Sequence, residues 1–416
     1  MRPGGHAEEA LIAIVGAGAA GLATAIFAAR RGAAGPILLL DGAARPGAKI
    51  LVSGGSRCNV TNAAVGERDF EGSPAHLVRR VLRAYDVPAT VAFFRELGVA
   101  LHEEEDGKLF PDANRSRVVL QALLDEASRR CVVARFGERV LAVEPSGSGF
   151  SLRTSRGTLE ASRVVLATGG LSLPKTGSDG QGLRIAQALG HTVVPTTPAL
   201  VPLVLAGGFH RPLSGIAHEA ELTVRVRGRA PQRRRGSLLW THFGVSGPVV
   251  LDASRTWLRA RLEGCAPTLE ACLVPGLQPE EADALLRQAA GSNPRQSVAR
   301  ALARWLPQAV SEALVSEAGL PMDAPLGRLA RDVRRAVVRG LVARELPVVD
   351  SRGYAFAEVT AGGVPLAELD TRAMESRLRP GLHLVGEILD VDGRIGGFNF
   401  QWAWSSAWVA AGGLAH

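Results

Sequence analysis

Apolar residues run unbroken from Leu11 to Val15, resume almost continuously from Ala17 to Ala29, and return at Ile37–Leu40 before stopping at Asp41. Short apolar blocks punctuated by glycine predict a buried strand over Leu11–Val15, a helix over Ala19–Arg31 and a second strand over Ile37–Leu40. A glycine-rich loop follows through Asn62, then helical periodicity around His76–Leu97 and Arg117–Arg130. Val132–Val143 and Phe150–Thr154 read as strands with a turn at Pro145–Gly149, and Arg163–Ala167 as a strand running into Thr168-Gly169-Gly170.

The pattern shifts near Thr196. From there to about Gly276, short alternating runs such as Ala220-Glu-Leu-Thr-Val-Arg-Val-Arg227 predict an antiparallel β region. Pro279 to Glu345 turns helical and arginine-rich, with breaks near Pro294, Pro307 and Gly319–Pro321. Pro347–Val364 returns to short strands, His383–Val385 reads as a buried strand and Asn399–Ala411 as an apolar helix whose Trp402, Trp404 and Trp408 form a packed face. The expected class is α/β: a discontinuous Rossmann-like domain over 1–195 and 350–416, interrupted by a β-rich insertion over 196–278 and a helical insertion over 279–349.

Composition narrows this picture. A chain of 416 residues, 46% hydrophobic with 48 glycines, suits a large α/β core. The apolar stretch Leu11–Ala29 imitates a membrane span or signal peptide, but its glycine spacing and the single Arg2 ahead of it favour a buried strand-turn-helix. Cys58, Cys131, Cys265 and Cys272 show neither zinc nor disulfide spacing, so no metal site is indicated and a reducing cytoplasm fits. Three lysines stand against 45 arginines, a skew that base composition of the genome accounts for. The position of the charge says more: residues 196–345 carry a net +7 of the chain's +8. That middle segment suits a polyanionic partner; solvated surface arginines are the alternative.

The chemistry lies in the head and the tail. Gly16, Gly18 and Gly21 give a strand-helix turn room for a pyrophosphate at the helix N-terminus, and Asp41 stands where a carboxylate accepts ribose hydroxyls. In the loop Pro46–Asn62, Gly54 and Gly55 allow close backbone approach, Lys49 and Arg57 can offset phosphate charge, and Asn59 both donates and accepts. Cys58 is a candidate proton donor beside a flavin ring, or a small packing residue. Thr168 and Gly169 end a strand where backbone passes a nucleotide, and Gly386 repeats this with Glu387 ready to bond a ribitol or ribose hydroxyl. Gly397 and Asn399 open a helix whose N-terminus can stabilise negative charge on a reduced flavin. Ala20, Val140 and Phe400 complete the candidate cofactor contacts. His191 and His242 have no partner visible in sequence and read as structural. No second GxGxxG follows, so NAD(P)H would bind transiently at the flavin face.

Five stretches, in order along nearly the whole chain, resemble the YhiN/BaiN-like flavoproteins, also called the BaiN/RdsA family of NAD(P)/FAD-dependent oxidoreductases. They are Ser53-Gly-Gly-Ser-Arg-Cys-Asn-Val-Thr-Asn62, Ala167–Ser178, Thr241–Pro248, Val359–Val364 and Gly386–Gly393. Ser56 stands where that family commonly has Gly, and Phe398 where Tyr is common. The resemblance implies a Rossmann-like FAD domain with β-rich and helical insertions. It implies one of several activities: dihydrouridine formation in large-subunit ribosomal RNA, reduction of conjugated enones, or amine oxidation. The leading expectation is NAD(P)H-dependent reduction of a uridine in 23S ribosomal RNA, with the basic insertion holding phosphates and Cys58 as candidate acid. The alternatives are a small-molecule enone reductase or amine oxidase on the same scaffold, and a flavin-bearing RNA-binding factor without catalysis.

Overall fold

The computed structural model describes residues 11–33 and 35–415, so Arg2 lies outside the described residues. The chain divides into two compact units, residues 1–198 with 358–416 and residues 199–357.

The first unit is organised by a seven-stranded sheet. Its order is Leu369–Asp370, Glu375–Ser376, Leu382–Leu384, Arg163–Leu166, Ile12–Val15, Ile37–Asp41, Val133–Phe136. Ile12 stands opposite Arg163 on one side and Ile37 on the other, both parallel. The strand Ile12–Val15 is buried along its whole length, as a central parallel strand covered on both faces must be. From it the chain turns through Gly16–Gly18 into the helix Ala19–Arg30, buried continuously from Ala20 to Ala28.

That helix packs on the last one, Phe398–Leu414. Phe27 lies 4.9 Å from Phe93 and 5.2 Å from both Tyr85 and Trp408, a cluster of rings in tilted and edge contact. Trp402 and Trp404 are fully buried, and each satisfies its indole N–H by donating to a backbone carbonyl, Gly386 O at 3.2 Å and Val60 O at 2.9 Å. The helical pattern over His76–Leu97 resolves into two helices, Ala75–Ala84 and Val87–Glu96. Asp86 accepts the Ala89 N–H at 2.9 Å and Pro88 stands in the first turn, so a new helix starts there.

The second unit carries a seven-stranded antiparallel sheet in the order Arg344–Leu346, Thr268–Cys272, Ala217–Arg225, Gln232–Thr241, Gly244–Ser246, Leu203–Leu205, Val348–Ser351. The segment expected to be β-rich contains a helix of 15 residues, Pro248–Leu262. Gly247 at φ 92° and Pro248 start it, and Val249, Val250, Ala253, Trp257 and Leu258 are buried at helical spacing. The alternating runs on either side masked this period. The helices Pro279–Ser292, Val298–Leu302, Gln308–Glu317 and Arg331–Val342 share one core with the sheet through residues such as Trp240, Leu286, Leu314 and Leu341. The strand Val348–Ser351, which spans the expected boundary at 349/350, pairs within this sheet. Among the described residues, no helix is long and apolar enough to cross a membrane.

Candidate active site

The nucleotide turn is built from positions that admit no side chain. A Cβ on Gly16 (φ 106°) would lie 2.4 Å from Ala167 O, and one on Gly21 would lie 1.8 Å from Gly16 O. These two glycines let the turn, the helix and the neighbouring strand close on one another. Gly18 is different, because nothing lies within 4 Å of its Cβ position. It caps the helix Ala19–Arg30, whose first turn receives no side-chain cap. Four N–H groups at a helix start need partners, and an anion is a natural one. Asp41 closes its strand with its carboxylate fixed by backbone: Ala17 N–H donates to Oδ2 at 2.7 Å and Ala43 N–H to Oδ1 at 2.8 Å. Val140 is buried at the start of Val140–Ser146. Two residues before it, Glu138 N–H donates to Asp41 O at 3.0 Å.

The second loop coils unusually. Gly54 (φ 53°), Gly55 (φ 67°) and Ser56 (φ 68°) are all left-handed, and Cys58 follows at φ 64°. A Cβ on Gly54 would meet Asn59 N at 2.9 Å. Arg57 is engaged by protein groups. Its guanidinium donates to Glu104 Oε1 at 2.6 Å and lies 4.0 Å from the centroid of the Phe110 ring. Cys58 has 0% exposure, and burial, opposed by a hydrogen bond with Ser53, pushes its thiol up to about 12. Such a group is a weak acid with no open path to a substrate. The environment is that of the packing residue, so the proton-donor expectation for Cys58 does not suit this geometry.

Lys49, expected on a phosphate, instead joins a four-part polar network. Its ammonium donates to Glu387 Oε2 and, at 2.5 Å, to Ser172 Oγ. Glu387 Oε1 also accepts from Ser172 Oγ at 2.6 Å and from Thr360 N–H at 3.0 Å. Thr360 Oγ1 in turn accepts the N–H groups of Leu171 and Ser172 at 2.8 and 3.0 Å. The network thus ties together four segments remote in sequence. Ser172 and Thr360 were not among the expected site residues. Both stand inside glycine-containing runs whose glycines drew the attention, and a hydroxyl's partner some 188 positions away leaves no local signal.

Gly386 (φ 74°) brings tail to head: a Cβ there would lie 2.8 Å from the Cβ of Ala20. Gly397 (φ 94°) caps Phe398–Leu414, again without a side-chain cap, and a Cβ there would lie 2.4 Å from Thr61 O and 2.9 Å from Asn59 Oδ1. Asn399 braces the turn before the helix, accepting Gly393 N–H at 2.8 Å and donating to Gly393 O at 2.9 Å. Phe400 stacks on Trp404 with centroids 5.7 Å apart. Thr168 packs so closely on the helix Gln181–Ala188 that a Cβ on Gly182 would lie 1.7 Å from its Oγ1. Gly169 (φ 70°) passes 2.7 Å, measured from its Cβ position, from Ser178 Oγ.

The fit to a flavin dinucleotide rests on two features. Both helix N-termini lack side-chain caps, and Asn59 Oδ1 is buried with no hydrogen-bond partner. A buried acceptor left open beside a helix N-terminus suits a ligand N–H such as a flavin ring provides. His191 and His242 fall outside this set. His191 Nδ1 lies 2.7 Å from Glu368 Oε2 and Nε2 2.8 Å from Ser376 Oγ, a buried staple in the sheet unit. His242 is exposed, with its ring 5.1 Å from Phe243.

The model of the HI0933-like protein Rossmann domain matches residues 10–413. The chain is 35% identical to the ribosomal RNA dihydrouridine synthase of Escherichia coli (strain K12), over 96% of each protein. It is 30% identical to the 3-dehydro-bile acid delta(4,6)-reductase of Clostridium scindens, over 96% of this chain and 97% of that protein. The FrdA chain of Escherichia coli quinol fumarate reductase has a similar fold: TM-score 0.50, 16% identity, covering 98% of this chain and 70% of that one.

Proposed function

This chain belongs to the HI0933-like Rossmann family and is a flavin oxidoreductase, and on that premise we propose that it saturates the double bond of a uridine in 23S ribosomal RNA. FAD, recharged by NAD(P)H, would supply a hydride when bound, and with Cys58 packed away the balancing proton would come from solvent. The chain's own residues hold and orient the nucleotide. The first turn after Gly18 would neutralise the pyrophosphate, and Asp41, fixed by Ala17 and Ala43, would meet the ribose. Glu387, held by Lys49, Ser172 and Thr360, has its charge paired in a half-buried network that ties the tail to the head. The N-terminus of Phe398–Leu414 would favour negative charge at a bound flavin ring, and Asn59 Oδ1 would accept from a ring N–H. Cys58 packs.

The observation that favours RNA over a small substrate is the segregation of charge. Residues 199–357 carry a net +7 and the remainder a net +1. A duplex or folded RNA must also release the target base from its stack, and phosphate contacts offset that cost. An enzyme acting on ribosomal RNA would meet its substrate in the cytoplasm.

Nucleoside mass spectrometry of 23S ribosomal RNA, with and without the gene, tests the reading. Dihydrouridine is expected to fall at one site on deletion and to return with the Cys58→Ala variant; unchanged dihydrouridine on deletion removes the proposal. The similarity to the bile acid reductase favours a second reading, an enone reductase. Brisk anaerobic NAD(P)H oxidation with a conjugated enone, no RNA present and no dependence on salt, would select it.

A further inference from the structure

The second unit holds a cluster of rings and charge distinct from the residues assigned to the flavin. Strand Gln232–Thr241 turns through His242 and Phe243 into Gly244–Ser246. Val204, on the intervening strand, stands opposite both Gly244 and Asp350. The loop after Val348–Ser351 therefore starts two strands away from the Phe243 turn. Arg352 spans that gap: its guanidinium lies 4.4 Å from the Phe243 ring centroid and 3.7 Å from that of Phe356.

Three properties coincide here. Phe356 is 49% exposed, so a large aromatic face stands in water. Arg352 forms no ion pair among the described residues; the nearby Asp350 faces Arg261 at 3.8 Å. The rings and the guanidinium come from two loops anchored to strands of one sheet. A flat cation stacked on rings has its edge N–H groups left for an anion, while the exposed ring takes a flat partner. An unstacked base with its phosphate combines both needs, whereas a lipid surface needs neither the flat stack nor fixed spacing.

Resting on the RNA reading above, we propose that Phe243, Arg352 and Phe356 form a stacking platform for one unpaired base of a single-stranded RNA segment, with Arg352 on the adjoining phosphate. The platform holds RNA flanking the reacting uridine and performs no chemistry.

The test uses the full chain with flavin bound and a fluorescent single-stranded RNA oligonucleotide at fixed salt. Phe356→Ala is expected to weaken binding about five- to 150-fold, the range for losing one base stack, and Phe356→Trp to restore it. Arg352→Met is expected to weaken binding and to lower the slope of log affinity against log salt by about 0.7. Flavin absorbance and melting temperature should match the parent throughout, because Phe356 is a surface residue. Phe356→Ala binding within twofold of the parent, parent protein that binds no RNA, or a variant that slows only a small planar enone each overturn the platform. The parent reading fails separately: a platform that binds RNA in a protein that leaves dihydrouridine unchanged on gene deletion keeps the platform and loses the reaction.

Discussion

The two units place their functional burden on opposite kinds of residue. In the first, the decisive positions are those where a side chain is forbidden: Gly16, Gly21, Gly386 and Gly397 each sit where a Cβ would come within 3 Å of another atom. In the second, the positions on which the RNA proposal relies are side chains that reach outward, arginines and rings on a sheet-and-helix scaffold. The first unit is close to electrically neutral and the second holds +7. A cofactor that never leaves is met by backbone, which cannot relax. Under the RNA proposal, a polyanion that comes and goes would be met by exposed charge, whose strength falls with salt.

The largest expected effect separates two glycines of one motif. Gly21→Ala drives a Cβ to 1.8 Å from a backbone oxygen, which cannot move aside as a side chain would. The variant is expected to lose about 3 kcal/mol or more and to yield no soluble flavoprotein. Gly18→Ala has open space and an ordinary φ of −82°, so it should melt with the parent yet retain less FAD after gel filtration. Equal flavin retention by Gly18→Ala would show that the open face of this turn does not meet the nucleotide.

The counterpart in the second unit is a stripe on the helix Arg331–Val342. Arg331, Arg335 and Arg339 are exposed, lie about 6 Å apart along one face, and pair with no carboxylate among the described residues. By contrast Arg334, on the same helix, is held by Asp283 at 2.6 Å. Replacing the three free arginines with Ser is expected to lower the log–log salt slope of RNA binding by about 2 to 3, with FAD content unchanged. An unaltered slope would return this face to plain solvated surface and weaken the contrast between the units.

How far the sequence spoke follows the same contrast. The turn from Gly16 to Gly21 and its Asp41 were legible because a backbone conformation closed to other residues leaves glycine at fixed spacing. Gly386 and Gly397 were legible for the same reason. Side-chain partnerships were not. Lys49 and Arg57 look alike in sequence, yet one is committed to Glu387 and the other to Glu104, choices made by folding. Ser172 and Thr360 escaped notice because only the tertiary fold brings them to Glu387. The helix Pro248–Leu262 was hidden because its apolar period starts within two residues of an alternating strand, with only Gly247-Pro248 to mark the change.

A smaller effect concerns acid. Glu126 has a buried side chain, which raises its pKa, but hydrogen bonds from Arg130 and Arg30 outweigh burial and leave the carboxyl below its ordinary value. Its folded pKa therefore lies under the unfolded one. The stabilisation is complete above about pH 4.3, the unfolded value for Glu, and is lost as pH falls through the lowered folded value. Asp179, Glu368 and Asp370 in the same unit are depressed too, while the second unit has Asp283. Amide exchange measured down to low pH should show the first unit opening first. Glu126→Gln should cost about 1.5 to 3 kcal/mol at neutral pH and flatten the acid slope; an unchanged slope would place the acid sensitivity elsewhere.

The smallest effect tests whether the coil at residues 53–58 is strained. Gly54 and Gly55 adopt left-handed φ without penalty, but Ser56 at φ 68° carries a Cβ into the same region. Ser56 is exposed, so its side chain contributes no core packing to lose. Ser56→Gly removes the steric cost and adds some freedom to the unfolded chain, two terms of opposite sign. The net expectation is a gain of about 0.5 to 1 kcal/mol, read as a higher melting temperature of the flavin-loaded protein. A loss instead would mean that the serine hydroxyl is held by the bound cofactor, and repeating the melt without flavin would abolish that loss. Either result bears on the contrast between the units: a gain leaves the turn at Ser56 to backbone alone, and a loss adds an exposed side chain to the first unit's cofactor site.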